Sequence, residues 1–278
     1  MAKRKMVKTI RGQRTTDGAG VHLVRVLGYN DTGDFDPFLM LDSFDSTDPQ
    51  DYLAGFPMHP HRGIETVTYL ISGRIEHEDS LGNKGAIHSG ESQWMSAGSG
   101  ILHQEMPKAA ERMLGFQLWL NLPAAEKMSE PMYLGITKDM IPVTEQGGAK
   151  VHVISGAFND LQGVKPHHIQ ATVLDIELAA GANLTVPTKA GETVFVFLIE
   201  GNGLVNGQPV AAKTAVLFGD GDEIELAANP DAGVRVIFYS GKALHEPIAW
   251  GGPIVMNTQI ELALAFEELN RGTFIKHK

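Results

Sequence analysis

Apolar positions in this chain fall in short runs separated by glycines and polar clusters, and most runs are too short to be helices. Residues 7–10 and 21–27 read as strands, with turn composition over 15–20 between them. A polar loop over 30–36 precedes a buried strand over 37–42, and an acidic loop comes next over 43–55. The Val/Thr/Tyr/Leu/Ile run at 65–71 is turned by Gly73, returns over 74–78, and turns again at Ser80-Leu81-Gly82-Asn83. Gly85, Gly90, Gly98 and Gly100 punctuate the short segments beyond that turn. Residues 115–122 add a strand with Phe116, Leu118 and Leu120 on one face, and Pro123 opens a short helical connection through Ala124, Glu126 and Lys127. Many short antiparallel strands predict a β-sandwich or small barrel rather than alternating βαβ units. Only the tail changes period. Ile260, Leu264 and Leu269 fall near helical spacing, Asn257 or Thr258 can cap, and Gly272 can terminate, which predicts a helix packed against a barrel.

The second half repeats the first. Aligning Pro60 with Pro187 pairs His59-Pro60-His61-Arg62 with Val186-Pro187-Thr188-Lys189, and Glu65-Thr66-Val67 with Glu192-Thr193-Val194. With one inserted residue, Tyr69-Leu70-Ile71-Ser72-Gly73 faces Phe197-Leu198-Ile199-Glu200-Gly201. A near-constant offset indicates an internal duplication and two similar β-domains, expected over 1–130 and 131–278 with the helix in the second. No histidine lies between His168 and His245. The second domain therefore cannot rebuild a histidine site from its own strands, and one site per chain is expected, in the first half.

Composition narrows the partners. A formal net charge of −10 argues against a nucleic-acid backbone as partner. The small basic cluster Lys3, Arg4, Lys5 and Lys8 reads as a solvated N-terminus. No segment reaches the roughly 20 apolar residues of a membrane span, and no leader pattern opens the chain, so a soluble cytoplasmic protein is expected. Two domains can cover each other's open sheets, which favours a monomer. The absence of cysteine excludes disulfides, thiolate metal sites and cysteine nucleophiles together.

Candidate chemistry concentrates in two pairs, His59-Pro60-His61 and His103-Gln104-Glu105. Alternate side chains of a strand share a face, so two such strands side by side bring three imidazoles and one carboxylate to a point. That is the composition of a mononuclear metal site with open positions, suited to Fe(II) and also to Mn, Co, Ni, Cu or Zn. A structural zinc site would instead close with four ligands. Arg62 faces the other way and reads as a salt-bridge residue. His77 and His88 read as ordinary polar positions, with a role as spare ligands or as hydrogen-bond donors to a ligand imidazole as the alternatives. Trp94 and Met95 read as core, whereas Phe38, Met40 and Phe56 fit a cavity wall and buried packing equally well.

The spacing Gly55-x3-His59-x-His61-x3-Glu65-x7-Gly73, followed by Gly90 and Gly98-x-Gly100-x2-His103, resembles the two-part cupin motif. More closely, His59-Pro60-His61-Arg62-Gly63, His77-Glu78-Asp79, Gln93-Trp94-Met95, Gly100-Ile101-Leu102-His103-x-Glu105-Met106-Pro107 and Trp119-Leu120-Asn121-Leu122-Pro123 resemble the pirin family of bicupins, over most of the chain. The resemblance implies an all-β tandem cupin with a C-terminal helix. It also implies one iron ion held by His59, His61, His103 and Glu105. In most cupins the carboxylate of the first motif, here Glu65, is the ligand. Strand parity favours Glu105, which must share a face with His103, whereas Glu65 lies beyond the Arg62-Gly63 bend. The implied activity is that of a quercetin 2,3-dioxygenase, in which O2 opens a flavonol with loss of carbon monoxide; Glu105, as the one ligand able to accept the proton of the flavonol 3-hydroxyl, is the expected general base. The alternative is a metal-containing regulatory protein that binds a protein partner, as eukaryotic relatives do. A cupin sugar isomerase finds no Lys/Arg cluster near the ligands to support it.

Overall fold

The strand-length apolar runs cannot bury themselves singly, and they are resolved by pairing into sheets whose inner faces close over one another. The computed structural model describes residues 2–277. The chain divides into two compact units, one of residues 14–135 and 244–278, the other of residues 1–13 and 136–243.

In the first of these, a seven-stranded antiparallel sheet runs in the order Met132–Ile136, Glu91–Ser96, Ile64–Ser72, Met113–Asn121, Phe38–Ser46, Val21–Leu27, Gln13–Asp17. A four-stranded sheet holds Phe56–His61, Ile101–Pro107, Arg74–Asp79 and Lys84–His88, in that order. A hairpin, Ala249–Gly251 with Ile254–Met256, and the helix Gln259–Asn270 complete the unit. The second unit repeats this plan. Its large sheet runs Met6–Arg11, Thr214–Phe218, Glu192–Glu200, Val234–Lys242, Thr172–Leu178, Ala149–Ser155, Val143–Gln146. Its small sheet runs Asn183–Pro187, Glu223–Ala228, Gly203–Val205, Gln208–Val210. The segments aligned in the sequence repeat occupy equivalent strands of the two units, so each unit is a cupin.

Three details differ from the sequence expectations. The domains do not follow a single cut at residue 130, because the chain ends are exchanged. Met6–Arg11 completes the large sheet of the second unit by pairing with Thr214–Phe218, taking the end place that Met132–Ile136 takes in the first. The C-terminal helix belongs with the first half. Next, Arg4 departs from the solvated basic N-terminus that Lys3 and Lys5 do form: it is 2% exposed and its guanidinium donates to the Thr188 hydroxyl and to the carbonyls of Gly219 and Lys189. Finally, the helix begins as expected at Thr258, whose hydroxyl and the Glu261 carboxylate form a reciprocal capping box. Its buried face, however, is Leu262 and Ala265, while Ile260 and Leu264 are exposed. Two apolar rows compete on this helix, and only the surface it meets selects between them. No helix among the described residues is long and apolar enough to cross a membrane.

Candidate metal centre

Phe56–His61 pairs with Ile101–Pro107 in a register that sets His103 opposite His59 and Ile101 opposite His61. Along Ile101–Pro107 the alternation buries Ile101, His103, Glu105 and Pro107 and leaves the residues between them half-buried. Parity thus puts His103 and Glu105 on one inner face, as the sequence predicts. The three imidazoles converge, with ring centroids 4.4 Å apart for His59 and His103, 4.8 Å for His59 and His61, and 5.0 Å for His61 and His103. One ligand atom from each lies within 4.8 Å of the others.

Hydrogen bonds fix which nitrogens face inward. His59 Nδ1 lies 2.9 Å from the Pro57 carbonyl and His61 Nδ1 3.1 Å from the Pro253 carbonyl. A carbonyl can only accept, so both Nδ1 atoms carry hydrogen and both Nε2 atoms of the neutral rings keep a lone pair. Those two Nε2 atoms are 3.1 Å apart, a repulsive contact unless a cation or proton lies between them. His103 points a buried Nε2 with no hydrogen-bond partner, while its Nδ1 lies 3.4 Å from the Tyr133 hydroxyl. Protonation is a poor remedy here. Burial, reinforced by neighbouring His59, pushes His61 down to about 3, and burial followed by His61 and His59 holds His103 well below the ordinary histidine range. Pre-oriented imidazoles with an orphaned buried nitrogen fit a divalent cation, and the nitrogen-rich donor set suits a borderline transition metal.

Glu105 is buried beside this cluster and is tied to other groups. Its Oε2 accepts from Gln117 Nε2 at 2.7 Å and its Oε1 from the Thr68 hydroxyl at 3.1 Å. Gln117 is itself fixed, since its Nε2 also reaches Thr68 Oγ1 at 3.0 Å and its Oε1 accepts from the Trp119 indole at 3.2 Å. Glu65, the ligand of the common cupin pattern, accepts from the Trp94 indole at 3.0 Å, and neither it nor Glu105, the expected fourth ligand, is in the three-histidine cluster. His77 stacks on Tyr133 with centroids 5.6 Å apart and lies opposite Glu105 in the strand register, whereas His88 is exposed on an edge strand. Arg62 is buried and pairs with Glu268, and Trp94 and Met95 are core.

His59 and His61 open onto a cavity of about 700 Å³. Its aromatic wall runs from His61 through Trp119, Trp250 and Tyr29, with successive centroids 4.9, 5.9 and 5.8 Å apart. Met40 and Phe56 also line it, while Phe38 is packed in the core. Opposite lies a polar patch in which Arg25 grips Asp42 through two hydrogen bonds of 2.9 and 2.8 Å and also reaches Asp17. Sequence reasoning missed Gln117, Trp119 and Trp250 as site residues. Gln117 carried a local signal, as the one polar side chain in Phe116-Gln117-Leu118-Trp119-Leu120. Trp250 carried none, because it reaches this site from the far end of the chain.

The second unit has valine, threonine and isoleucine where the first has imidazole, and Thr188, in the place of His61, accepts from Arg4. Val186 pairs with Ile224 as His59 pairs with His103, and Val186, Ile224 and Leu226 all belong to the apolar core. A second group, His152, Asp175 and Glu177, is bridged by Arg235, which donates twice to Asp175 at 2.8 and 2.6 Å and pairs with Glu177 at 3.2 Å. The guanidinium already supplies the cation there.

Comparison with known proteins agrees with the two-unit description. Residues 20–120 match the family described as Pirin, and residues 173–275 match the Pirin C-terminal cupin domain. A pirin-like protein of Caulobacter vibrioides is 44% identical over 278 residues, spanning 99% of this chain and 100% of its own. A Pseudomonas aeruginosa protein provisionally named a quercetin 2,3-dioxygenase is 44% identical over 274 residues, 94% of either chain. The crystal structure of a quercetin 2,3-dioxygenase from Acinetobacter baumannii superposes with a TM-score of 0.89 at 33% identity, covering 98% of this chain and 99% of that one.

Proposed function

The chain belongs to the pirin family, and from that premise we propose that it is a metal-dependent dioxygenase of planar, chelating aromatics of the flavonol class, quercetin among them. The observation that carries the proposal is the convergence of three imidazoles, with His103 Nε2 unpartnered, near the aromatic-walled cavity lined by His59 and His61. In this reading His59, His61 and His103 hold one Fe(II) ion through Nε2, with Glu105 as the fourth ligand or at its edge. Such an ion, when bound, acts as a Lewis acid that lowers the pKa of a chelating hydroxyl.

The remaining work falls to this chain. Trp119 and Trp250 offer faces for a flat ring system, and the cavity volume suits one small-molecule ligand. Glu105 accepts the proton of the flavonol 3-hydroxyl, and the amide of Gln117 and the hydroxyl of Thr68 aim its two oxygens. Dioxygen then opens the flavonol to an ester, with one substrate carbon leaving as carbon monoxide. The test is to reconstitute the metal-free protein with Fe(II), Mn(II), Ni(II) or Cu(II) and follow loss of flavonol absorbance under oxygen. Metal-dependent ring opening with carbon monoxide release is expected. Tight metal binding without turnover refutes catalysis and leaves the regulatory reading.

A further inference from the structure

Arg62, next in sequence to His61, is 2% exposed and spends its guanidinium on four attachments. Nε donates to the Ser99 carbonyl at 2.7 Å and Nη2 to the Phe274 carbonyl at 2.9 Å. Nη1 pairs with Glu268 at 2.8 Å, and the group lies 4.2 Å above the Phe274 ring. Ser99 belongs to the turn that feeds the His103 strand, while Glu268 and Phe274 belong to the C-terminal helix and the tail beyond it. The same distal segment touches the ligand loops at further points. The Pro253 carbonyl orients His61, and Val255 N donates to the Arg62 carbonyl at 3.1 Å. The ammonium of buried Lys127 joins the Gly63 and Val255 carbonyls, each at 2.9 Å. The fit leaves no slack: a Cβ on Gly63 would lie 2.0 Å from the Val255 carbonyl oxygen, and one on Gly100 would lie 2.9 Å from the Phe274 ring.

Gathering lone pairs 3.1 Å apart pushes the imidazoles away from one another, so something must hold the ligand loops together before a cation arrives. We propose that the C-terminal segment is a strap performing this task, with Arg62 as the positioning residue through which the helix and tail set the affinity and geometry of the three-histidine site. The inference rests on the reading of that site as a metal centre. A planar fork that bridges both loops and stacks on an aromatic ring is a role lysine cannot fill. Groups that hydrogen-bond a ligand imidazole directly, as the Pro253 carbonyl does His61, alter metal affinity by about 10–100-fold, and Arg62 stands one step behind them, so the lower end of that range applies.

The test uses the full-length metal-free chain titrated with Co(II), read by dissociation constant and by visible absorption at saturation. Arg62→Lys is expected to bind Co(II) at least about tenfold more weakly, with an altered absorption band. Arg4→Lys, the same change at an equally buried arginine of the other unit, is expected to lower the melting temperature and leave cobalt binding unchanged. If Arg62→Lys does not fold, Glu268→Gln and Phe274→Leu carry the test. Weaker cobalt binding in either supports the strap, and wild-type affinity and spectrum in both overturn it, as they do in a folded Arg62→Lys protein. His61→Ala separates the two levels. If it loses cobalt while the strap variants do not, only the strap fails. If it binds as tightly as wild type, or the wild-type chain binds none, the metal-site reading falls and takes the strap with it.

Discussion

Glu105→Gln keeps the shape of the side chain and removes its charge. The new amide NH2 cannot face Gln117 Nε2, because two donors would then meet at the 2.7 Å now spanned by a hydrogen bond. Turning the Gln117 amide over would set its NH2 against the Trp119 indole N–H, 3.2 Å from the present oxygen. The NH2 therefore faces Thr68, whose oxygen already accepts from Gln117 and can accept again once its own hydrogen turns away. Two hydrogen bonds to a charged group, each worth about 1.5–3 kcal/mol, give way to neutral ones worth about 1 kcal/mol each. The net structural cost is then about 1–4 kcal/mol, or about 2–16 °C in melting temperature for a domain of about 150 residues or more. Loss of the proton acceptor acts on the barrier instead. General-base catalysis contributes about 10²–10⁴-fold, equivalent to about 2.7–5.4 kcal/mol on the barrier. The assay is steady-state loss of flavonol absorbance under oxygen, normalised to bound metal, beside a thermal melt. A folded variant that keeps metal and loses at least about a hundredfold in kcat is expected. A kcat within about tenfold of wild type at equal metal content refutes the base assignment.

Two more outcomes rest on the same geometry. In the metal-free protein, burial depresses His61 to about 3 against 6.5 in the unfolded chain, so the unfolded state binds the extra proton between those values. Stability is therefore complete above about pH 6.5 and falls as the solution is acidified toward pH 3, by up to about 1.4 kcal/mol per pH unit from this group. His103 acts in the same direction. Urea unfolding across a pH series checks this, and the slope should flatten in His61→Ala. Trp250→Ala removes one face of the aromatic wall at a half-exposed position, so KM for a flavonol should rise about 3–10-fold while kcat changes less. An unchanged KM would remove Trp250 from the substrate wall.

The sequence alone determined the β-rich duplicated plan, because short apolar runs punctuated by glycine are a local pattern and the repeat is a comparison of the chain with itself. It also determined the shared face of His103 and Glu105, since side-chain alternation is a property of any extended strand. It showed that the second unit lacks histidines for a matching site, with Val186 and Thr188 in the places of His59 and His61, and the structure adds that Ile224 and Leu226 fill those of His103 and Glu105. Tertiary structure decided the rest. Which row of the C-terminal helix is buried depended on the surface beneath it, so Leu262 and Ala265 displaced the equally apolar Ile260 and Leu264. Gln117 came to hold Glu105 through the register of neighbouring strands, and Trp250, Pro253 and Phe274 reached the site from a segment remote in sequence. The tautomers of His59 and His61 were likewise set by backbone carbonyls, whose directions no side-chain pattern encodes. Alternation and repetition act between near neighbours or between copies and can be read along the chain. Convergence of distant segments depends on how the sheets close and on which backbone atoms that closure leaves pointing inward.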